Sequence, residues 1–187
     1  MKCPICERDY LQRRYLEENL PAYQCRQCEG IWISAEQYWK WLKKGEAEVS
    51  ESPVTVDVPL PIEEAGQAKL CPNCGHILRR YKVWPDIKFY LDHCGHCLSL
   101  WFDKDEWEAL RARGLQRQVH LFFSDLWQEK LRAEEARKRF ERIYLDRFGP
   151  EDYARIKEIR AWLESHPQRG AILAYLSDKD PYQALSE

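Results

Sequence analysis

Residues 71–114 read CPNCGHILRRYKVWPDIKFYLDHCGHCLSLWFDKDEWEALRARG, and the fold is decided there. Cys71 and Cys74 form one C-x-x-C pair, Cys94 and Cys97 a second, with nineteen residues between the pairs. Two such pairs fit one tetrahedral metal ion: each makes a tight turn, and an intervening hairpin brings the turns face to face. A helix follows directly. The pattern occurs twice, because Cys3, Cys6, Cys25 and Cys28 repeat it with eighteen intervening residues, and this accounts for all eight cysteines.

The repeat extends past the ligands, which makes it an architecture and not only a spacing match. Trp32 corresponds to Trp101, Ser34 to Asp103, Gln37 to Glu106 and Gly45 to Gly114. Each copy places a Ser or Asp three residues ahead of a Gln or Glu, the sequence form of a capping box. Lys43, Lys44 and Gly45, and then Arg111, Arg113 and Gly114, supply cations and a C′ glycine at the helix end.

The expected fold is therefore α+β: two small zinc ribbons, each a β-hairpin plus a short capped helix, followed by an α-helical hairpin. The expected boundaries are 1–45 for the first ribbon, 46–68 for a linker, 69–114 for the second ribbon and 115–187 for the helical region. A ribbon of about 45 residues cannot rely on its core, since ordering the backbone costs roughly 1–2 kcal/mol per residue. A structural zinc contributes on the order of 10–16 kcal/mol in small zinc modules, so each ribbon is expected to need its metal to fold. The expected cofactor is two zinc ions per chain.

In the first ribbon, residues 10–16 and 22–24 are the expected hairpin strands, turning around residues 17–21. Glu7 stands where Gly75 stands in the second copy, at the knuckle position that favours a left-handed backbone. Trp32 is expected to cover the zinc hairpin. Three tryptophans in ten residues exceed what one ribbon can bury, so Trp39 or Trp41 is expected to face another domain or a partner. Residues 46–68 hold six acidic residues, three prolines and no basic one. They read as a tether, with residues 54–58 as a short edge strand, and a tether permits the ribbons to move independently.

The second hairpin, strands 77–84 and 87–91 around Pro85-Asp86, interleaves basic and aromatic side chains. Arg79, Arg80, Lys82, Lys88, Tyr81 and Trp84 are the candidate nucleic-acid-binding residues, cations for phosphates and rings for stacking on bases. The bland reading of the same pattern is a half-buried hairpin with its cations on the wet face. His76, His93 and His96 lie near the second quartet, where four cysteines already complete a site.

From Leu115 onward an apolar helical stripe gives a helix of roughly 28 residues, about 42 Å long, which Gly149-Pro150 ends. A second helix follows to His166-Pro167, and a last short one, residues 171–176, is expected to pack on the pair. Thirteen basic and thirteen acidic residues are mixed along 115–187, a solvated surface and not a nucleic-acid arm. Trp39, Trp41, Phe122, Trp127, Phe140 and Tyr144 are the candidate protein-docking residues, for a protein partner or for self-association.

The formal charge is −2, and each loaded tetrathiolate adds −2, leaving the zinc protein near −6 and poorly suited to general polyanion binding. No signal-like N-terminus and no long apolar run is present, so a cytoplasmic protein without membrane contact is expected. No Ser-His-Asp set, paired catalytic carboxylates, phosphate loop or small-molecule site is apparent, and the expected role is non-enzymatic.

Cys3-Pro4-Ile5-Cys6 with Cys25-Arg26-Gln27-Cys28-Glu29-Gly30-Ile31-Trp32, and Cys71-Pro72-Asn73-Cys74 with Cys94-Gly95-His96-Cys97-Leu98-Ser99-Leu100-Trp101, resemble the zinc-ribbon family named for the zinc finger of transcription factor IIB. The second copy departs from the motif's Gly-Ile at Ser99-Leu100. The resemblance implies zinc binding and a binding-module role in transcription or translation machinery, and the helical tail resembles no family. Cys94-Gly95-His96-Cys97 also spells the thiol redox motif of disulfide isomerases. That reading needs a helix directly after the first cysteine, where this sequence supplies a register-matched second pair. Iron in a rubredoxin-like site is the remaining alternative, and its pairs are spaced further apart.

Overall fold

The computed structural model describes residues 1–7, 9–44, 66–85 and 87–182 and divides the chain into two compact units, Met1–Glu134 and Glu135–Glu187. The expected strand 54–58 lies outside the described residues.

In the first unit each ribbon contributes three strands. The first ribbon has β1 (Gln12–Tyr15), β2 (Pro21–Gln24) and β3 (Ile31–Ile33), then helix α1 (Ala35–Lys44). The second has β4 (Leu78–Lys82), β5 (Tyr90–Cys94) and β6 (Leu100–Phe102), then helix α2 (Glu106–Ala112). The first hairpin falls where the sequence places it, with a 3-10 turn at Glu17–Asn19 joining β1 to β2, whereas the return strand of the second begins at Tyr90, later than the expected 87–91, and runs to Cys94. The third strands, IWI and LWF, are short segments that sequence reading passes over.

Those third strands overturn the expectation of independently moving ribbons. β3 and β6 pair antiparallel, with Ile31 opposite Phe102, Trp32 opposite Trp101 and Ile33 opposite Leu100. The result is one six-stranded sheet of order β1-β2-β3-β6-β5-β4. Since Trp32 and Trp101 are equivalent positions, the join is a local two-fold centred on that pair. Every residue of β3 and β6 is buried, so the two strands are covered on both faces.

Strand alternation divides the covering. Ile31, Ile33, Leu100 and Phe102 belong to the larger core, with Tyr38 and Trp41 of α1 and Trp107 and Leu110 of α2. Trp41 and Trp107, one from each ribbon, meet edge to face with ring centres 6.0 Å apart. Trp41 thus faces the other ribbon, as one of the two tryptophans was expected to, while Trp39 is 44% exposed. Trp32 and Trp101 join Cys3, Cys25, Cys71, Cys94, Leu11 and Leu78 in a second, smaller core that both cysteine quartets share.

The ribbon unit extends beyond Gly114. Leu115, Val119 and Phe122 join the larger core, the last two from α3 (Val119–Phe122). The start of α4 (Asp125–Glu164) is held by Trp127 Nε1, which donates to the Val83 carbonyl at 3.0 Å, and by Gln128 Nε2, which donates to the Lys82 carbonyl at 2.8 Å.

The second unit contains the rest of α4 and α5 (Arg169–Ser177). The α4 run breaks at Gly149, whose φ of 77° and ψ of 164° leave the helix, as the Gly-Pro pair implies. Arms 135–148 and 150–164 fold back on each other there. Glu141 and Lys157 would stand about 24 Å apart on a straight helix, yet they form an ion pair at 3.8 Å, and the rings of Tyr144 and Tyr153 are 6.5 Å apart. The expectation that the last helix packs on this pair fails, for no residue of α5 is buried.

Candidate metal centres

Each C-x-x-C pair is a turn in which the residue after the second cysteine adopts a left-handed backbone. Its amide donates back to the first cysteine's carbonyl: Glu7 to Cys3 at 3.0 Å, Glu29 to Cys25 at 3.1 Å, Gly75 to Cys71 at 2.9 Å and Leu98 to Cys94 at 2.8 Å. The corresponding φ values are 53°, 59°, 75° and 57°. Only one of the four positions carries the glycine that adopts this conformation without strain.

The turns converge into two groups, Cys3, Cys6, Cys25, Cys28 and Cys71, Cys74, Cys94, Cys97, with all four sulfurs of each within 4.8 Å of one another. All eight cysteines are free of disulfides. A zinc ion with Zn–S bonds of about 2.3 Å at the centre of a tetrahedron requires sulfur separations of about 3.8 Å. Cys3–Cys28 at 3.5 Å, Cys6–Cys25 at 3.9 Å, Cys71–Cys97 at 3.5 Å and Cys74–Cys94 at 3.4 Å fit it. Four thiolates fill zinc's coordination and leave no position for water or substrate, the arrangement of a structural site.

Without a cation such a group resists ionising. Burial, aided by the neighbouring thiols Cys25 and Cys3, pushes Cys6 up to about 11, and burial likewise raises Cys28. The His76 amide lowers Cys74, but burial and the thiols of Cys94, Cys97 and Cys71 together push it up to about 12. At Cys97 burial acts upward and is outweighed by the side chain and backbone of Ser99, with help from Cys71 and Cys74, which lower the thiol to about 6. Metal binding must displace the protons of the raised thiols, so zinc affinity falls as pH falls.

The surroundings of the two centres differ. In the first, the amides of Ile5 and Cys6 lie 3.4 Å from Cys3 Sγ, and Asp9 Oδ2 lies 3.6 Å from Cys25 Sγ. In the second, Ser99 Oγ lies 3.2 Å from Cys71 Sγ and 3.1 Å from Cys97 Sγ. His76 and His96 stack on each other at 4.0 Å on the exposed side of the second centre, and His93 stacks on Phe123 at 4.3 Å. Both quartets are complete without them.

Beside the second centre lies a charged cluster with no counterpart in the sequence reading. Lys69 Nζ donates to Asp92 Oδ2 at 2.5 Å and to Asp103 Oδ2 at 2.7 Å, with all three residues buried. Asp103 Oδ1 accepts from Trp101 Nε1 at 2.7 Å, and the Asp103 amide donates to Glu106 Oε2 at 2.8 Å. Burial opposes charge on Lys69, but the two carboxylates outweigh it and hold the ammonium above its ordinary range. Burial raises the Glu106 carboxyl well above the usual value, reinforced by the charge of Asp103.

The two expected capping boxes consequently form only half each. Ser34 Oγ accepts from the Gln37 amide at 3.2 Å, while Gln37 Oε1 is buried without a partner. In the second ribbon Glu106 reaches back, but the Asp103 side chain is committed to Lys69 and Trp101, and Asp105, with φ of 64°, precedes the helix.

The candidate nucleic-acid residues divide by chemistry. Arg79, Arg80 and Lys88 are exposed, with Arg80 over the Tyr90 ring at 4.8 Å. Tyr81 packs on Phe123 at 5.2 Å and Trp84 on Trp127 at 5.2 Å, so these rings pack inside the fold. The docking candidates divide likewise. Phe122 and Trp41 are buried, and Trp127 is half-buried against Phe122 and Trp84, whereas Trp39, Phe140 and Tyr144 are exposed.

Residues 2–44 match the family of the transcription factor IIB-type zinc finger, described as a transcription factor zinc-finger. The match covers the first ribbon, and the second cysteine quartet, of the same composition and closeness, fits a second zinc site. No curated protein and no solved structure matches the chain. Among the described residues no helix is long and apolar enough to cross a membrane.

Proposed function

We propose that the chain is a non-enzymatic adaptor in which two zinc ribbons, fused through one sheet, form a fixed body and the helical region supplies a protein-binding surface. The observation that carries this reading is a contrast in finish. Both metal centres are closed by four cysteines, while Phe140 and Tyr144 of the helical unit stand 57% and 43% exposed. The family that the first ribbon matches supports a place in transcription machinery. The test is capture by the intact zinc-loaded protein with and without nuclease. A protein partner that survives nuclease and is lost with Phe140→Glu supports the reading; recovery of nucleic acid alone defeats it.

A second reading, nucleic-acid binding, is favoured by the exposed Arg79, Arg80 and Lys88. It requires affinity that falls steeply with salt and with neutralisation of Arg79 and Arg80. A thiol redox role gains no support, because Cys94 and Cys97 are bound into one group with Cys71 and Cys74.

A further inference from the structure

The unit Glu135–Glu187 lacks an interior. Among its described residues Leu163 is the one buried hydrophobic side chain. On the first arm Phe140, Ile143 and Tyr144 are 57%, 39% and 43% exposed; on the second, Ile156, Ile159 and Trp162 are 41%, 51% and 54% exposed. Two helices meet along a line, so each apolar stripe keeps an open side, and an isolated pair of short helices is marginal in water. α5 does not close the seam, for Leu173, Tyr175 and Leu176 are themselves exposed.

We infer that this seam is closed by a second copy of the chain, two hairpins pairing about a two-fold axis into a four-helix bundle. The inference rests on the adaptor reading and names one partner for its helical surface. Three observations favour a second copy over an unrelated protein. First, the open face belongs to both arms of one hairpin, so an identical hairpin presents the complementary pair of stripes, and a two-fold contact uses the same patch twice. Second, the arms differ in charge. Residues 135–148 carry five basic and three acidic side chains, and residues 150–164 carry four acidic and three basic. A two-fold arrangement lays the basic arm of each copy along the acidic arm of the other. Third, the area suffices. Covering the half-exposed apolar side chains of both arms removes roughly 600–700 Å² per chain, which brings the pair to the lower part of the range for stable interfaces, about 1,200–2,000 Å² in total.

The experiment uses the full zinc-loaded chain in sedimentation equilibrium over a range of concentrations. The expected result is a dimer of twice the 22.4 kDa chain, converted to monomer by Phe140→Glu or Ile156→Glu with two zinc ions per chain retained. A monomer at all concentrations, or a dimer unaffected by both substitutions, overturns the inference. Charge reversal supplies an arm that does not threaten the fold. Chains carrying Arg137→Glu with Arg139→Glu, and chains carrying Glu158→Lys with Glu164→Lys, should each dimerise at least tenfold more weakly and form mixed dimers when combined. Mixed dimers no tighter than either self-pairing contradict arm-to-arm pairing. A monomer that still captures a protein partner defeats self-association and leaves the adaptor standing; a dimer that captures no other protein does the reverse.

Discussion

Gly30 and Ser99 occupy the same place in the two ribbons, five residues after Cys25 and Cys94, and they solve different problems. A Cβ at Gly30 would stand 2.3 Å from Trp101 Cζ2, so the first ribbon keeps glycine to let the second ribbon's indole lie across its backbone. Ser99 instead points its hydroxyl at two cysteine sulfurs. The asymmetry continues outward. Around Trp101 stand Lys69, Asp92, Asp103 and Glu106; the matching positions around Trp32 are Met1, Tyr23, Ser34 and Gln37. Trp101 Nε1 has a carboxylate acceptor, whereas Trp32 Nε1 is buried without a partner and its ring leans on Tyr23 at 5.7 Å. A duplicated ligand frame has therefore kept its metal chemistry while its two halves became complementary, one giving way and the other filling in.

The largest test of that complementarity is metal removal. Chelation should release two zinc ions per chain and abolish the near-ultraviolet tryptophan signal, since zinc contributes on the order of 10–16 kcal/mol to modules of this size. The helical signal of the second unit, which contains no ligand, should in large part remain. Because the quartets share one small core and the sheet runs through both, Cys3→Ser with Cys6→Ser should also loosen zinc at the intact second site. Chelator competition showing unchanged affinity there would mean that the ribbons fold as separate modules despite their common sheet.

Next in size is the charged cluster, which belongs to the second ribbon alone. Lys69→Met strands the buried carboxylates of Asp92 and Asp103 and should cost about 3–5 kcal/mol, read from urea unfolding of the zinc-loaded protein. A loss under about 1 kcal/mol would mean that water reaches the cluster. Glu106 gives the pH signature. Its folded carboxyl titrates well above the unfolded value, so its contribution is fully present below about pH 4.3 and is lost as pH rises toward the folded value. Relative to Glu106→Gln, the wild type should lose stability as pH rises above that point. The difference between the two proteins cancels the shared acid lability of the zinc sites.

The sequence was legible where its signals are local. The eight ligands, the two hairpins and the break at Gly149 all follow from residues within a few positions of one another. β3 and β6 were not, since a three-residue strand is too short for periodicity to show and its partner lies in the other copy, beyond the tether. The role of Lys69, the first residue of the expected second ribbon, was hidden for the same reason: its two carboxylate partners come from β5 and from the lead-in to α2. Among the site candidates, the interleaved rings Tyr81 and Trp84 marked a docking edge for the protein's own Phe123, just after α3, and Trp127 of α4, which alternation alone cannot distinguish from a surface for bases.

Gly30→Ala probes the join itself. The added methyl meets the Trp101 ring rather than a flexible chain end, and overpacking of this kind costs about 1–3 kcal/mol. The destabilisation should come with a shift in tryptophan fluorescence, while Ser99→Ala, at the equivalent position, should leave that fluorescence unchanged and weaken zinc retention only. Equal behaviour of the two variants would erase the distinction drawn between the ribbons.

The smallest effect concerns the knuckles. Leu98 holds a left-handed φ of 57° where Gly75 holds 75°, and its side chain is 52% exposed, so little packing is lost by removing it. A non-glycine residue in this region carries roughly 1–2 kcal/mol of strain, against about 0.4–1 kcal/mol of extra chain entropy that glycine brings to the unfolded state. Leu98→Gly should therefore raise stability by about 0.5 kcal/mol, with zinc content unchanged. Glu29→Gly should gain less, because Glu29 is paired with Lys104 at 2.7 Å across the two ribbons. If Leu98→Gly lowers stability, the exposed leucine contributes contacts that outweigh the backbone strain, and the left-handed turn is not what limits that knuckle.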